Sequence, residues 1–331
     1  MSYPLNPDLY SDNVKLEPIR AGFGRGLKAA GEANENVVAL CADLTESTQM
    51  HLFRDAFPKR FIEIGIAEQN LVTVASGLAR AGKIPFTSSY AAFSPGRNWE
   101  QIRTTVTLNN QPVKIVGSHA GVSVGPDGAT HQMLEDIALM RVLPNMVVVA
   151  PGDSIEAEKA TQAIAVNGKP SYIRLAREKT PIFSTEESPF EIGKAYVLRE
   201  GADVTLLGTG AMTYELLRAA NILGEHGISA EVVHVPTIKP LDREVILASA
   251  KKTGRVVSAE EAQIAGGFGG VIAELLSEEM PTPLKRIGMH DRFGESGAPA
   301  ELMEHFGLSG NKIAPEVKAW IESTAKYHQE F

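Results

Sequence analysis

The sequence predicts an α/β protein of two doubly wound domains, the first on a mostly parallel sheet. Three observations predict it. Short apolar or β-branched runs alternate with helix-period stretches along nearly the whole chain. The alternation breaks at EKTPIFSTEESPFEIG (178–193), where proline, Ser, Thr and Glu crowd together as in an interdomain linker. The length, 331 residues, is long for one domain and comfortable for two. The expected division is residues 1–180, a linker over 181–192, and residues 193–331.

In the first unit VVAL (37–40), RFIEIG (60–65), IPFTSSY (84–90), VKIVGSH (113–119), MVVVAP (146–151) and SYIRLAR (171–177) predict strands. Helical periodicity falls between them near 20–32, 67–81, 98–108, 133–142 and 153–165. In the second unit the strands are DVTLLGTG (203–210), SAEVVHVP (229–236), RVVSAEE (255–261) and LKRIGMH (284–290). Helices near 213–226, 242–252 and 270–279 alternate with them. In the helix that opens at GIAEQN (65–70), Leu71, Val72, Ala75 and Ala79 form one apolar face. Glu68 stands at the head of that face, an unusual place for a carboxylate.

Composition narrows the function classes. The hydrophobic share of 44% and charged share of 22% are ordinary for a globular protein. A net charge of -8 without a basic stripe argues against nucleic acid as a partner. One cysteine, Cys41, suits a reducing cytoplasm and excludes an intrachain disulfide framework. The N-terminal stretch has no apolar signal region, and no run approaches the roughly 18 apolar residues of a membrane span. A cytoplasmic protein with small-molecule ligands is the expectation.

Ligand sites in open α/β sheets lie beyond the carboxyl ends of the strands. The polar or aromatic residues just past strand ends are Asp43, Ser47, Glu68, Tyr90, Phe93, His119 and Arg177. The loop SHAGVSVGPDGATHQ (118–132) adds Asp127 and His131 among several glycines, which let backbone approach a ligand closely. Two imidazoles and a carboxylate can bind sugar hydroxyls or phosphate and move protons. A surface turn with Thr130 capping the next helix is the simpler alternative. Two histidines twelve apart without a third ligand fit no common metal site. Arg20, His119 and Arg177 could hold an anion together, with Ser47 adding a hydroxyl. Taken singly, each is better read as a surface salt bridge or a solvated charge. GTGAMT (208–213) and GGFGG (266–270) miss the dinucleotide-binding spacing and read as tight strand-to-helix turns. Glu68 also has a plain explanation, since a carboxylate is favourable in the first turn of a helix.

The ordered set CADLTEST, GIAEQN, SYAAF, SHAGVSVGPDGATHQ, YIRLARE, TIKPLD and RFGESG resembles the C-terminal half of transketolase, a thiamine diphosphate enzyme. The similarity covers nearly the whole chain. It implies a pyrimidine-binding domain over 1–180 and a transketolase C-terminal domain over 193–331. No GDG segment of the kind that holds the diphosphate and its metal occurs in the chain. The resemblance therefore implies one subunit of a split transketolase, which transfers a two-carbon ketol unit between sugar phosphates. The partner implied is an N-terminal, diphosphate-binding subunit that holds most of the Mg²⁺ or Ca²⁺ site, two copies of each chain assembling about a two-fold axis.

Position by position, the resemblance makes Glu68 the partner of the cofactor's aminopyrimidine. Phe93 and Tyr90 become its aromatic wall, and Asp43 an acid near the cofactor. A third family aromatic, due near Gly96 or Arg97, is absent. Asp127 would read a substrate hydroxyl, and His131 would position the donor's ketol end and move protons. Arg20, Ser47, His119 and Arg177 match the sugar-phosphate clamp. Deoxyxylulose-phosphate synthases and the β subunits of 2-oxoacid dehydrogenases share the architecture. His119, Arg177 and RFGESG favour transketolase over both. A non-catalytic pyrimidine-domain protein that binds a partner is the alternative from another class.

Overall fold

The computed structural model describes residues 3–11 and 13–327. Strands β1 (Leu16–Pro18), β2 (Val37–Cys41), β3 (Phe61–Glu63), β4 (Ile84–Tyr90), β5 (Lys114–Ser118), β6 (Val147–Val149), β7 (Ser171–Arg174) and β8 (Lys179–Pro181) lie in the first part of the chain. The second part carries β9 (Tyr196–Arg199), β10 (Val204–Gly208), β11 (Ala230–His234), β12 (Thr237–Lys239), β13 (Val256–Gln263) and β14 (Leu284–Met289).

The first sheet has the order β12-β6-β7-β5-β4-β2-β3 and is parallel except for its edge strand β12. Strands β2, β5, β6 and β7 are buried throughout, which is why they read as continuous apolar runs. The connection leaving β2 runs outward to β3, whereas β4 returns to the other side of β2. The carboxyl ends of β2 and β4 therefore flank a topological switch point, where such sheets bind ligands. The second sheet, β14-β13-β10-β11-β9, is parallel except for the antiparallel edge β9.

The two sheets are less separate than their sequence pattern suggests. Strand β12, within TIKPLD, leaves the second unit and pairs antiparallel with β6 of the first. Its run of three residues is too short to carry a strand signal of its own. A buried polar pin crosses the same seam: His234 meets Glu156 at 2.7 Å through Nε2 and Thr213 at 2.6 Å through Nδ1. The turn GTGAMT thus brings Thr213 to the joint between the units.

The 178–193 stretch, read as an interdomain linker, is packed against the first unit. Within it β8 pairs with β1, and Asp153 accepts hydrogen bonds from the backbone of Phe183 and Ser184 while capping the helix Ser154–Val166. The sequence pattern also passed over the helices Pro299–His305 and Gly310–Tyr327, which pack against the 122–127 segment and the helix Met212–Glu225 respectively. Among the described residues no helix is long and apolar enough to cross a membrane.

Candidate active site

Helix Glu68–Arg80 buries Leu71, Val72, Ala75 and Ala79, as its periodicity predicts, and Glu68 with them. Glu68 is only 3% exposed. Its carboxylate accepts from Arg97 Nη1 at 2.9 Å, and its carbonyl accepts from the buried Asn98 side chain at 2.8 Å. The carboxylate borders an open cavity of about 520 Å³ lined by residues 66–70, Thr73, Arg97 and Gln101.

Arg97 joins Glu68 to the aromatic wall, since its guanidinium carbon lies 5.2 Å from the centre of the Phe93 ring. A side chain at the neighbouring position is excluded. A Cβ on Gly96 would fall 2.1 Å from the Ala92 carbonyl oxygen. That explains why no aromatic stands at 96 in this backbone, and Arg97 covers the ring instead. Local sequence gave no signal for Arg97, which lies 29 residues from its acidic partner.

The wall follows from strand register. Tyr90 ends β4 opposite Ser118 of β5, so the next residue, His119, comes to lie against the Tyr90 ring. Their ring centres are 3.8 Å apart and nearly parallel. Phe93 follows in a tight turn, its N–H donating to the Tyr90 carbonyl. His131 closes the group edge-on, 5.4 Å from Phe93 and 6.2 Å from Tyr90. His119 has a left-handed φ of 57° and Asp43 one of 55°. For residues other than glycine that is uncommon, and such strain gathers at functional sites.

Charge organises the other side of His119. Arg20, at the start of helix Ile19–Ala33, donates to the Ser47 carbonyl and to His119 Nε2, each at 3.0 Å. Ser47 thus enters through its backbone, where a hydroxyl was expected. Because an arginine cannot accept, Nε2 is the acceptor, and the ring proton sits on Nδ1, 2.9 Å from Ser118 Oγ. Burial, then the charges of Arg20 and Arg177, lower the His119 pKa to about 3. His119 is therefore a neutral ring that orients Arg20. Burial and then Arg177 push Arg20 down from its usual value as well, and Arg20 Nε is buried without a partner. Arg177 donates to the Val124 carbonyl and pairs loosely with Glu178 at 3.6 Å. Two arginines around a neutral imidazole, one with an unused donor, form a cluster suited to an anion.

Asp127 ends the 3₁₀ segment Val122–Asp127, exposed, and His131 follows with Nδ1 2.8 Å from Thr130 Oγ1. Thr130 does not cap the next helix, which starts only at Asp136 and has Glu135 before it. Asp43 stands apart from the aromatic wall. Its N–H donates to Glu63 Oε1, which also accepts from Gly65 N–H, while Glu63 Oε2 accepts from Thr45. Glu63 escaped the sequence reading, although a charge at the carboxyl end of a parallel strand is itself a signal.

The residues fit an aminopyrimidine on one direct observation. The planar, nitrogen-bearing guanidinium of Arg97 presents an N–H to the Glu68 carboxylate while lying over Phe93. An aminopyrimidine makes related demands, a carboxyl group that can share a proton with its ring nitrogen and an aromatic face.

Comparison with known proteins gives the family. Residues 18–182 match the model of the transketolase pyrimidine binding domain, and residues 193–313 that of the transketolase C-terminal domain. The chain is 47% identical over 311 residues to a Methanocaldococcus jannaschii protein named "Putative transketolase C-terminal section", covering 92% of this chain and 98% of that one. It is 44% identical to "6-deoxy-6-sulfo-D-fructose transketolase subunit SqwH" of a Clostridium species, covering 91% of this chain and 94% of that one. A solved structure described as "Split gene transketolase, inactive beta4 tetramer" superposes with a TM-score of 0.86 at 44% identity, covering 92% of this chain and 98% of that one.

Proposed function

Since the chain belongs to the transketolase family, we propose that it is the pyrimidine-binding subunit of a two-chain transketolase. With a separate diphosphate-binding chain it transfers a two-carbon ketol group from a ketose phosphate to an aldose phosphate. The observation that carries the reading is the contiguity of the site: Glu68, Arg97, Phe93, Tyr90, His131, His119 and Arg20 form one chain of contacts.

Thiamine diphosphate, when bound, supplies the carbon nucleophile and the electron sink that ketol transfer needs. This chain's part is to seat the aminopyrimidine end, with Glu68 holding or sharing a proton at the ring nitrogen and Phe93 and Tyr90 bounding the ring. Asp43, away from the aromatic wall, serves the cofactor close to the joint between subunits. Arg20 and Arg177 bind the anionic end of the sugar, with Ser47 and the neutral His119 fixing Arg20. Asp127 reads a hydroxyl, and His131 positions the ketol end and moves its proton. The diphosphate and its Mg²⁺ or Ca²⁺ fall to the partner, because this sequence has no GDG segment. Two copies of each chain make the assembly.

The relative named as a tetramer is called inactive, which supports dependence on a partner. A second reading concerns the donor. The relative named for 6-deoxy-6-sulfo-D-fructose makes a sulfonated ketose a rival to the phosphorylated one, and Arg20 and Arg177 suit either anion. A donor panel on the reconstituted pair tests both. Turnover of ketose phosphates supports the main reading, and preference for the sulfonated ketose supports the second. Turnover of a 2-oxoacid alone, as in the related synthases and dehydrogenases, or of no donor would overturn both.

A further inference from the structure

The loop that carries Asp127 and His131 belongs to the first unit but is seated on the second. Gln132, 4% exposed, is the hinge of that seating. Its side-chain Nε2 donates to the Val122, Gly125 and Glu295 carbonyls at 3.0, 3.3 and 2.9 Å. All three neighbours are acceptors, which fixes the amide's orientation. The other end, Oε1, is buried without a partner and faces Gly294. A Cβ at 294 would lie 1.9 Å from it. No side chain fits there while Gln132 keeps its bonds.

Glu261, buried at the end of β13, makes a parallel contact. Its Oε1 accepts from Ser123 N–H, and its carbonyl accepts from the buried Arg174 at 2.7 Å. The loop bends close to these groups through Gly121, Gly125 and Gly128, with φ of 92°, 83° and 72°. Cβ atoms there would meet Glu261, Pro299 and Ser296 respectively, each within 3 Å. The same loop offers the Val124 carbonyl to Arg177. RFGESG (292–297), a motif without a role in the site itself, therefore lines the seat of the loop.

We infer that the second unit acts as the positioning element for donor binding, with Gln132, Glu261 and Gly294 as positioning residues that hold Asp127 and His131 in place. The inference rests on the transketolase reading for its kinetic arm only. None of the three touches Phe93, Tyr90 or Glu68, so their effect reaches the site through Asp127 and His131. A misplacement of about 1 Å at such a loop is enough to cost two orders of magnitude in rate.

The test uses Gly294→Ala, a change in the other unit, beside Gln132→Ala and the double variant. Amide hydrogen exchange on the full chain reads the coupling without turnover. Both single variants are expected to speed exchange over 121–132 at least tenfold, leaving the β4–β5 amides unchanged. In the reconstituted pair, kcat/KM for the ketose donor should fall at least tenfold, with a lower kcat as well as a higher KM. Half-saturation by thiamine diphosphate should stay within twofold. The double variant should be no worse than Gln132→Ala alone, because Gly294 acts through that side chain. Unchanged exchange over 121–132, or loosening spread evenly over the first sheet, overturns the inference. So does a parallel loss of cofactor affinity. A wild-type pair that turns over no donor would sink the catalytic reading, while the exchange result still decides the coupling.

Discussion

Arg97 holds the carboxylate of Glu68 at 2.9 Å while its guanidinium lies against Phe93. The two residues expected to clasp an aminopyrimidine are thus already bridged by a side chain of the same protein. A ring seated there competes with this contact, because Arg97 lies over the Phe93 face and holds one oxygen of the carboxylate.

Arg97→Met should therefore tighten thiamine diphosphate binding. The arginine side chain is about half exposed, at 53%, and a pair of that kind is worth about 1 kcal/mol or less. The expected gain is up to about fivefold in half-saturation of the reconstituted pair. Weaker binding would show that Arg97 helps hold the cofactor instead of competing for its seat.

Glu68→Gln keeps the shape of the side chain and removes its proton chemistry. Activity of the pair should drop roughly hundredfold or more, the scale of a lost acid–base group. Cofactor retention measured by equilibrium dialysis should change far less. A variant with full activity would remove Glu68 from the chemistry.

His119 should not titrate across the physiological range. Its pKa of about 3 in the fold lies below the usual histidine value of about 6.5. Between those values the unfolded chain binds a proton that the folded chain refuses, so the His119 contribution to stability falls as pH falls from about 6.5 toward 3. Histidine-labelled NMR spectra should show one ring, absent in His119→Gln, with constant shifts from pH 5 to 8. In urea unfolding, His119→Gln should lose less stability than the wild type between pH 7 and pH 4.

Arg20→Ala and Arg177→Ala should raise the KM for a donor with an anionic end by roughly tenfold or more, because charge-assisted bonds to that end are lost. A donor without that anion should be nearly indifferent to either change. Equal losses on both donors would place the arginines outside the anion site.

The seam between the two units gives a stability prediction. Glu156→Ala leaves His234 buried without its 2.7 Å partner, and a buried polar group stripped of its hydrogen-bond partner costs about 1–3 kcal/mol. Urea unfolding should show that loss, and His234→Ala on top of it should add little because the two residues are coupled. Additive losses would mean that the pair does not act as a unit.

Much of this was legible in the sequence because it rests on local pattern. Apolar runs alternating with helix-period stretches announced the α/β layers, and strand ends located Glu68, Tyr90 and His119. What escaped is carried by contacts between distant segments. Nothing near Arg97 announces that it reaches Glu68, and TIKPLD gives no hint that β12 joins the other unit's sheet. The polarity of Gln132 is unremarkable until the three carbonyls around it are seen. The absent aromatic at Gly96 was visible as a gap. Only the backbone shows the reason, a carbonyl where its Cβ would be.

The central claim is that this chain completes a transketolase site only with a diphosphate-binding partner. The direct measurement is ketol transfer by the purified chain, alone and mixed with that partner, in thiamine diphosphate and Mg²⁺. The prediction is no turnover by the chain alone, turnover on mixing, and its loss with Glu68→Gln. Full activity of the isolated chain, or an active pair indifferent to Glu68→Gln, would contradict it.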